Sequence, residues 1–241
     1  MSALVMGCFV PDFPYLISLS PHMSYGHTFA GMFVLDLPLA LLALWLFHVF
    51  VKRPMLMFLP AGFKRRLGTS VNSFPFWPSK RLSLIVLSIL IGTATHLLWD
   101  AFTHPNSWFY ENWTLLQNSI ELPAIGEVPI YKLMEYVNSV FGLAVVAGWI
   151  CHWYRTAIPS ANSIAEAEDA RKRRTFVAVL PALAILGGAL RAYHAHSINL
   201  GIRPLMHFTT DFLISAITFF LLGLLLYGII LRWHNRTAFQ G

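Results

Sequence analysis

Long apolar runs alternate with short polar loops along this chain. A hydrocarbon core of about 30 Å takes roughly 20 apolar residues of helix. Five stretches meet that length: 28–51, 82–104, 137–154, 175–194 and 208–231. Asp36-Leu37-Pro38 interrupts the first, and Pro181 lies inside the fourth. Both are tolerated in a span where neighbouring helices take up the freed backbone groups. Ahead of the first run, "MSALVMGCFVPDFPYLISLSPH" is apolar but broken by Pro11-Asp12. It lacks a basic start, so it does not read as a cleavable signal peptide. The pattern predicts an all-α, polytopic transmembrane helical bundle: about five spans, preceded by a partly inserted N-terminal segment. Residues 1–241 read as a single integral membrane domain. "IPSANSIAEAEDARKRR", residues 158–174, reads as a short polar helix or loop between the third and fourth spans.

Composition sharpens this picture. The 241 residues are 56% hydrophobic and 12% charged, with mean hydropathy +0.60. A soluble domain carries about a quarter charged residues. The net charge of +6 does not point to nucleic acid, because the bases are confined to alternate loops. Lys52, Arg53, Lys64, Arg65, Arg66, Lys80 and Arg81 fall between spans one and two. Arg155, Arg171, Lys172, Arg173 and Arg174 fall between spans three and four, and Arg232 and Arg236 lie at the end of the fifth. The loop 105–136 is acidic instead, with Glu111, Glu121, Glu127 and Glu135 against Lys132. The positive-inside rule then places the N-terminus and the 105–136 and 195–207 loops outside, and the C-terminus in the cytoplasm. The expected location is the plasma membrane. Cys8 and Cys151 lie far apart in apolar stretches, which argues against a disulfide framework or a cysteine zinc site.

The candidate chemistry is concentrated toward the predicted outer side. His96, Asp100 and His104 recur every four residues in "GTATHLLWDAFTH", so they share one helix face about 6 Å apart along the axis. His27, Asp36 and Asp12 fall at the same end of the bundle. Ionisable groups inside a membrane cost about 2.5–3.5 kcal/mol each on insertion scales, so several at one level call for a use. An imidazole and a carboxylate four apart can grip one cation from one helix. Three ligands at that spacing reach too far for one ion on a straight helix. The helix therefore ends near Pro105, or the third group orients a ligand, or two metals share the site. The competing role for the stripe is a hydrogen-bonded clamp between helices. For Asp36 it is a kink, and for Asp12 a helix cap. His48, His152 and His234 lie at the opposite, basic end and read as structural.

"GCFVPDFPYLI", "HTFAGMFVLDLPLALL", "GTATHLLWDAFTHPNSWF" and "VPIYKLMEYVNSVFGL", in this order, resemble the bacterial DUF4184 family over nearly the whole chain. The pattern is similar to that of membrane-bound metal-dependent hydrolases. The resemblance implies a metal site of Asp12, His27, His96 and Asp100, with Asp36 and His104 as supplementary catalytic groups. The family pattern has an apolar helix bearing a histidine before the Pro-Asp motif, whereas this chain opens almost at that motif. The expectation is a missing ligand and span, or a start placed too late. Glu135 and Tyr136 also stand where the family tends to carry Gln and His.

Imidazole and carboxylate donors suit zinc, and also manganese or iron. The reading is a zinc-dependent hydrolase, with Asp36 or Asp12 as general base, acting on a membrane lipid or lipid-linked ester or phosphoester near the outer leaflet. The other classes are an ion or metal transporter and a non-catalytic membrane scaffold. Transport would call for ionisable groups continuing inward, but residues 82–91 are apolar apart from Ser83 and Ser88.

Overall fold

The computed structural model describes residues 1–19, 25–67, 79–105, 107–122, 126–159, 170–196 and 204–237, with Phe74 and Phe76. Residues 160–169 of the polar stretch between spans three and four lie outside the described residues. Short helices α1 (Ser2–Phe9) and α2 (Phe13–Ser18) open the chain, joined by a 3-10 turn at Val10–Asp12. Helix α3 runs Phe29–Phe58 and is followed by α4 (Ala61–Leu67). Helix α5 spans Ser79–Thr103, then come α6 (Trp108–Asn112) and α7 (Thr114–Gln117). Strands β1 (Ser119–Leu122) and β2 (Gly126–Pro129) lead to α8 (Ile130–Thr156), α9 (Ala170–His196) and α10 (Pro204–Thr237). Five of these helices are long and apolar enough to cross a membrane, and each overlaps one of the five apolar runs. The chain is an all-α multi-pass membrane protein.

The hairpin in the loop after α5 was not foreseen. Its strands pair antiparallel from Ser119 opposite Pro129 to Leu122 opposite Gly126. Gly126 takes φ +90°, which only glycine adopts without strain, and this lets the chain reverse.

The core sits where α1 lies across α3 and α5. Ala3 and Val10 pack there with Ala40, Leu44, Ile85 and Ile89. Glycines permit the approach: a Cβ at Gly7 would overlap the Ile89 carbonyl, and one at Gly92 would overlap the Leu4 carbonyl. The buried Thr93 hydroxyl donates to the Gly7 carbonyl at 3.2 Å and fixes the register. Helices α9 and α10 form an antiparallel pair on the same logic, with Gly188 against Ala216 and Gly223 against Leu180. Arg173 joins this pair to α3 by donating to the Met57 and Leu59 carbonyls, both at 2.9 Å, at the end of that helix. Helix α8 has no buried residue among those described.

Candidate metal centre

Three chain segments meet at the Thr103 end of α5. The first is the turn after α1. Pro11 and Pro14 occupy first-turn positions, where a missing N–H costs nothing, so the chain restarts a helix twice within five residues. Asp12 is carried on that corner. The second is the 3-10 turn Tyr25–His27, which ends as Thr28 caps α3 by accepting from the Gly31 N–H at 2.9 Å. The third is α5, with His96 and Asp100 one turn apart. It ends at Thr103, and the His104 N–H still bonds back to the Asp100 carbonyl at 2.9 Å.

Asp12, His27, His96 and Asp100 converge. His27 Nε2 lies 3.5 Å from Asp12 Oδ1 and 3.3 Å from Asp100 Oδ2. His96 Nε2 lies 3.7 Å from Asp12 Oδ1 and 2.9 Å from Asp100 Oδ2. Ligands about 2.0–2.1 Å from a tetrahedral ion stand about 3.3 Å from one another. The four separations scatter around that edge length. The donor atoms of Asp12, His27 and His96 all lie within 4.8 Å of one another, a set that does not include Asp100. The closest pair carries a second message. His96 Nε2 is buried and makes no aligned hydrogen bond despite its 2.9 Å approach to Asp100. Its N–H axis misses the carboxylate.

Apart from Asp12 and Asp100, a third carboxylate, Asp36, is completely buried, and neither oxygen has a hydrogen-bond partner. Among the described residues, no lysine or arginine pairs with any of the three. A proton on His27 offsets part of this negative charge. The Asp100 carboxylate, then that of Asp12, holds its imidazolium so firmly that its pKa is raised to about 9, against an opposing effect of burial.

His104 stands apart from the cluster. Its side chain is 55% exposed, and its Nδ1 lies 3.7 Å from the other Asp100 oxygen, Oδ1. Of the three arrangements open at the sequence level, the helix does end near Pro105, and His104 faces the side of Asp100 turned away from His27 and His96. Asp36 lies in a π-helical turn, Met32–Asp36. Pro38 has no N–H for the Val34 carbonyl and would crowd it, so the preceding turn widens and brings Asp36 inward.

Residues 1–229 match a protein family described as a domain of unknown function, DUF4184. The chain belongs to that family. Searches of curated proteins and of solved structures return no match. In this DUF4184 protein the residues brought together therefore have to be read from their chemistry.

Tyr15, in "PDFPYLI", stacks on His27 with ring centroids 5.7 Å apart and planes 19° from parallel. It also lies within electrostatic reach of Asp12 and Asp100. Its placement three residues after Asp12 on a short helix is the signal that would have found it. Gly7, Gly92 and Gly26 matter equally, but nothing distinguishes them in sequence from the other glycines.

Proposed function

We propose that this protein is a metal-dependent hydrolase of the plasma membrane, with a divalent cation, zinc by preference, held by Asp12, His27, His96 and Asp100. The observation that carries the proposal is that His27 and His96, from two segments, each lie 2.9–3.7 Å from both Asp12 and Asp100. When bound, such an ion polarises a carbonyl or phosphoryl oxygen and draws the pKa of water towards about 7.

The chain's own groups supply the proton transfers. Asp12, ligating through one oxygen, would accept the proton of the attacking water on the other, since its side chain is half exposed. His104, exposed at the mouth, would give its own proton to the departing alkoxide and regain one from solvent, where Asp12 sheds its own. Asp36 is fully buried and has no route to a substrate. The substrate class is a lipid or lipid-linked ester or phosphoester, because the cluster lies at the end of a membrane-crossing helix. With the basic loops in the cytoplasm, that end faces the outer leaflet and the N-terminus lies outside.

The test is metal content in detergent-purified protein, followed by hydrolysis of fluorogenic lipid esters and phosphoesters. Wild type is expected to carry one zinc per chain, with His96→Ala and Asp100→Ala losing it and with it the hydrolysis. Folded wild type that binds no added zinc would leave a helix clamp held by the His27 proton. Zinc-dependent uptake into proteoliposomes without hydrolysis would make the site a transport site.

A further inference from the structure

A buried carboxylate with no partner needs a use, and Asp36 is the most costly such group among the described residues. Beside it stands a complementary orphan. His27 turns its Nε2 to Asp12 and Asp100, while its Nδ1 is buried and has no hydrogen-bond partner. Asp36 also lies within electrostatic reach of both His27 and His96.

Gly26 shows how closely these segments are fitted. A Cβ there would stand 3.0 Å from Asp36 Oδ1 and 3.0 Å from the Pro11 carbonyl oxygen. Pro11 precedes Asp12, and Gly26 precedes His27. The one residue without a side chain thus sits where the backbone of one ligand, the backbone of another and the buried carboxylate come together. The widened turn ahead of Pro38 brings Asp36 to that point.

Resting on the proposed metal centre, we infer that Asp36 is a positioning residue. Its carboxylate, within electrostatic reach of His27, favours the tautomer that keeps the ring proton on Nδ1. A histidine that ligates through one ring nitrogen donates from the other, most often to a carboxylate, and the bond sets both its tautomer and its orientation. That tautomer leaves Nε2 unprotonated and aimed at the cation. Asp36 therefore tunes how tightly the centre holds its ion.

The experiment titrates zinc, and separately Co2+, into full-length detergent-purified protein, comparing wild type with Asp36→Asn and Gly26→Ala. The amide keeps the size of the side chain but loses the charge, and the alanine displaces the carboxylate without removing it. Asp36→Asn is expected to weaken zinc about 10- to 100-fold, the range for partners of ligating histidines. Stoichiometry at saturating zinc stays at wild type, the visible Co2+ bands shift, and the metal-free melting temperature does not fall. Gly26→Ala weakens zinc in the same direction but also presses on the Pro11 carbonyl, so if Asp36→Asn does not fold, Asp36→Glu, which keeps the charge and shifts its position, is titrated in its place and is expected to weaken zinc with stoichiometry unchanged. Wild-type zinc affinity in the variants, or a lowered metal-free melting temperature with an unchanged Co2+ spectrum, overturns the role of Asp36 and leaves the metal centre standing. Absence of zinc binding in wild type itself overturns both.

Discussion

Helices α5 and α8 are both long, apolar and rich in small residues, yet they are used in opposite ways. On α5, Gly92 meets the backbone of α1 so closely that no side chain fits, and Thr93 bonds across the same contact. On α8, a Cβ added at Gly142 or Gly148 would meet nothing within 4 Å, and the helix presents Val140, Phe141, Leu143 and Trp149 outward. Apolar character takes either helix into a bilayer. Lipid tails are as apolar as leucine, so burial alone does not draw one span against another. Close packing and hydrogen bonds do. The proposed ligands His96 and Asp100 therefore sit on the helix that has such a contact, and its glycine sets how near α1 brings Asp12.

The largest test of this contrast replaces the contact. Gly92→Leu forces the α1 backbone away, beyond the ~1–3 kcal/mol typical of overpacking. The expected outcome is loss of zinc binding together with a lowered melting temperature in detergent. Next in size is the pH dependence of the metal-free protein. The folded-state pKa of His27, about 9, lies above its ordinary 6.5, so its proton stabilises the fold fully below about pH 6.5. That stability is lost as pH rises towards 9, by up to roughly 3 kcal/mol. On the proposed metal site zinc would compete with that proton, so its affinity should rise over that window, and thermal melts with and without zinc at each pH check both signs.

A smaller effect is expected for Thr93→Val, which leaves the Gly7 carbonyl without its side-chain donor. The cost is about 1 kcal/mol by reversible unfolding, with zinc affinity falling alongside if register matters to the site. The smallest belongs to α8. Gly142→Leu and Gly148→Leu should each change stability by less than about 0.5 kcal/mol, the range of substitutions that touch nothing. A large loss there would mean that α8 is packed against something and would dissolve the contrast.

Five spans and a broken N-terminal segment were legible in residue order because length and hydropathy follow directly from the apolar runs. The stripe of His96, Asp100 and His104 was equally legible, since helical periodicity places residues four apart on one face. Its division was not. Only the folded chain shows that two of the three face Asp12 and His27 while His104 turns to the far oxygen of Asp100. The hairpin at Ser119–Pro129 escaped because short strands in a polar loop leave little periodic signal.

Residue order alone decided which parts enter the membrane and which side chains carry charge into it, because both follow from local composition. It could not say that a corner near residue 12, a turn near residue 27 and a helix near residue 96 share one point. That depends on glycine contacts and a proline-widened turn acting between segments distant in the chain. Distances between donor atoms are set by how backbones pack, and packing is written in pairs of residues whose partnership no single stretch reveals.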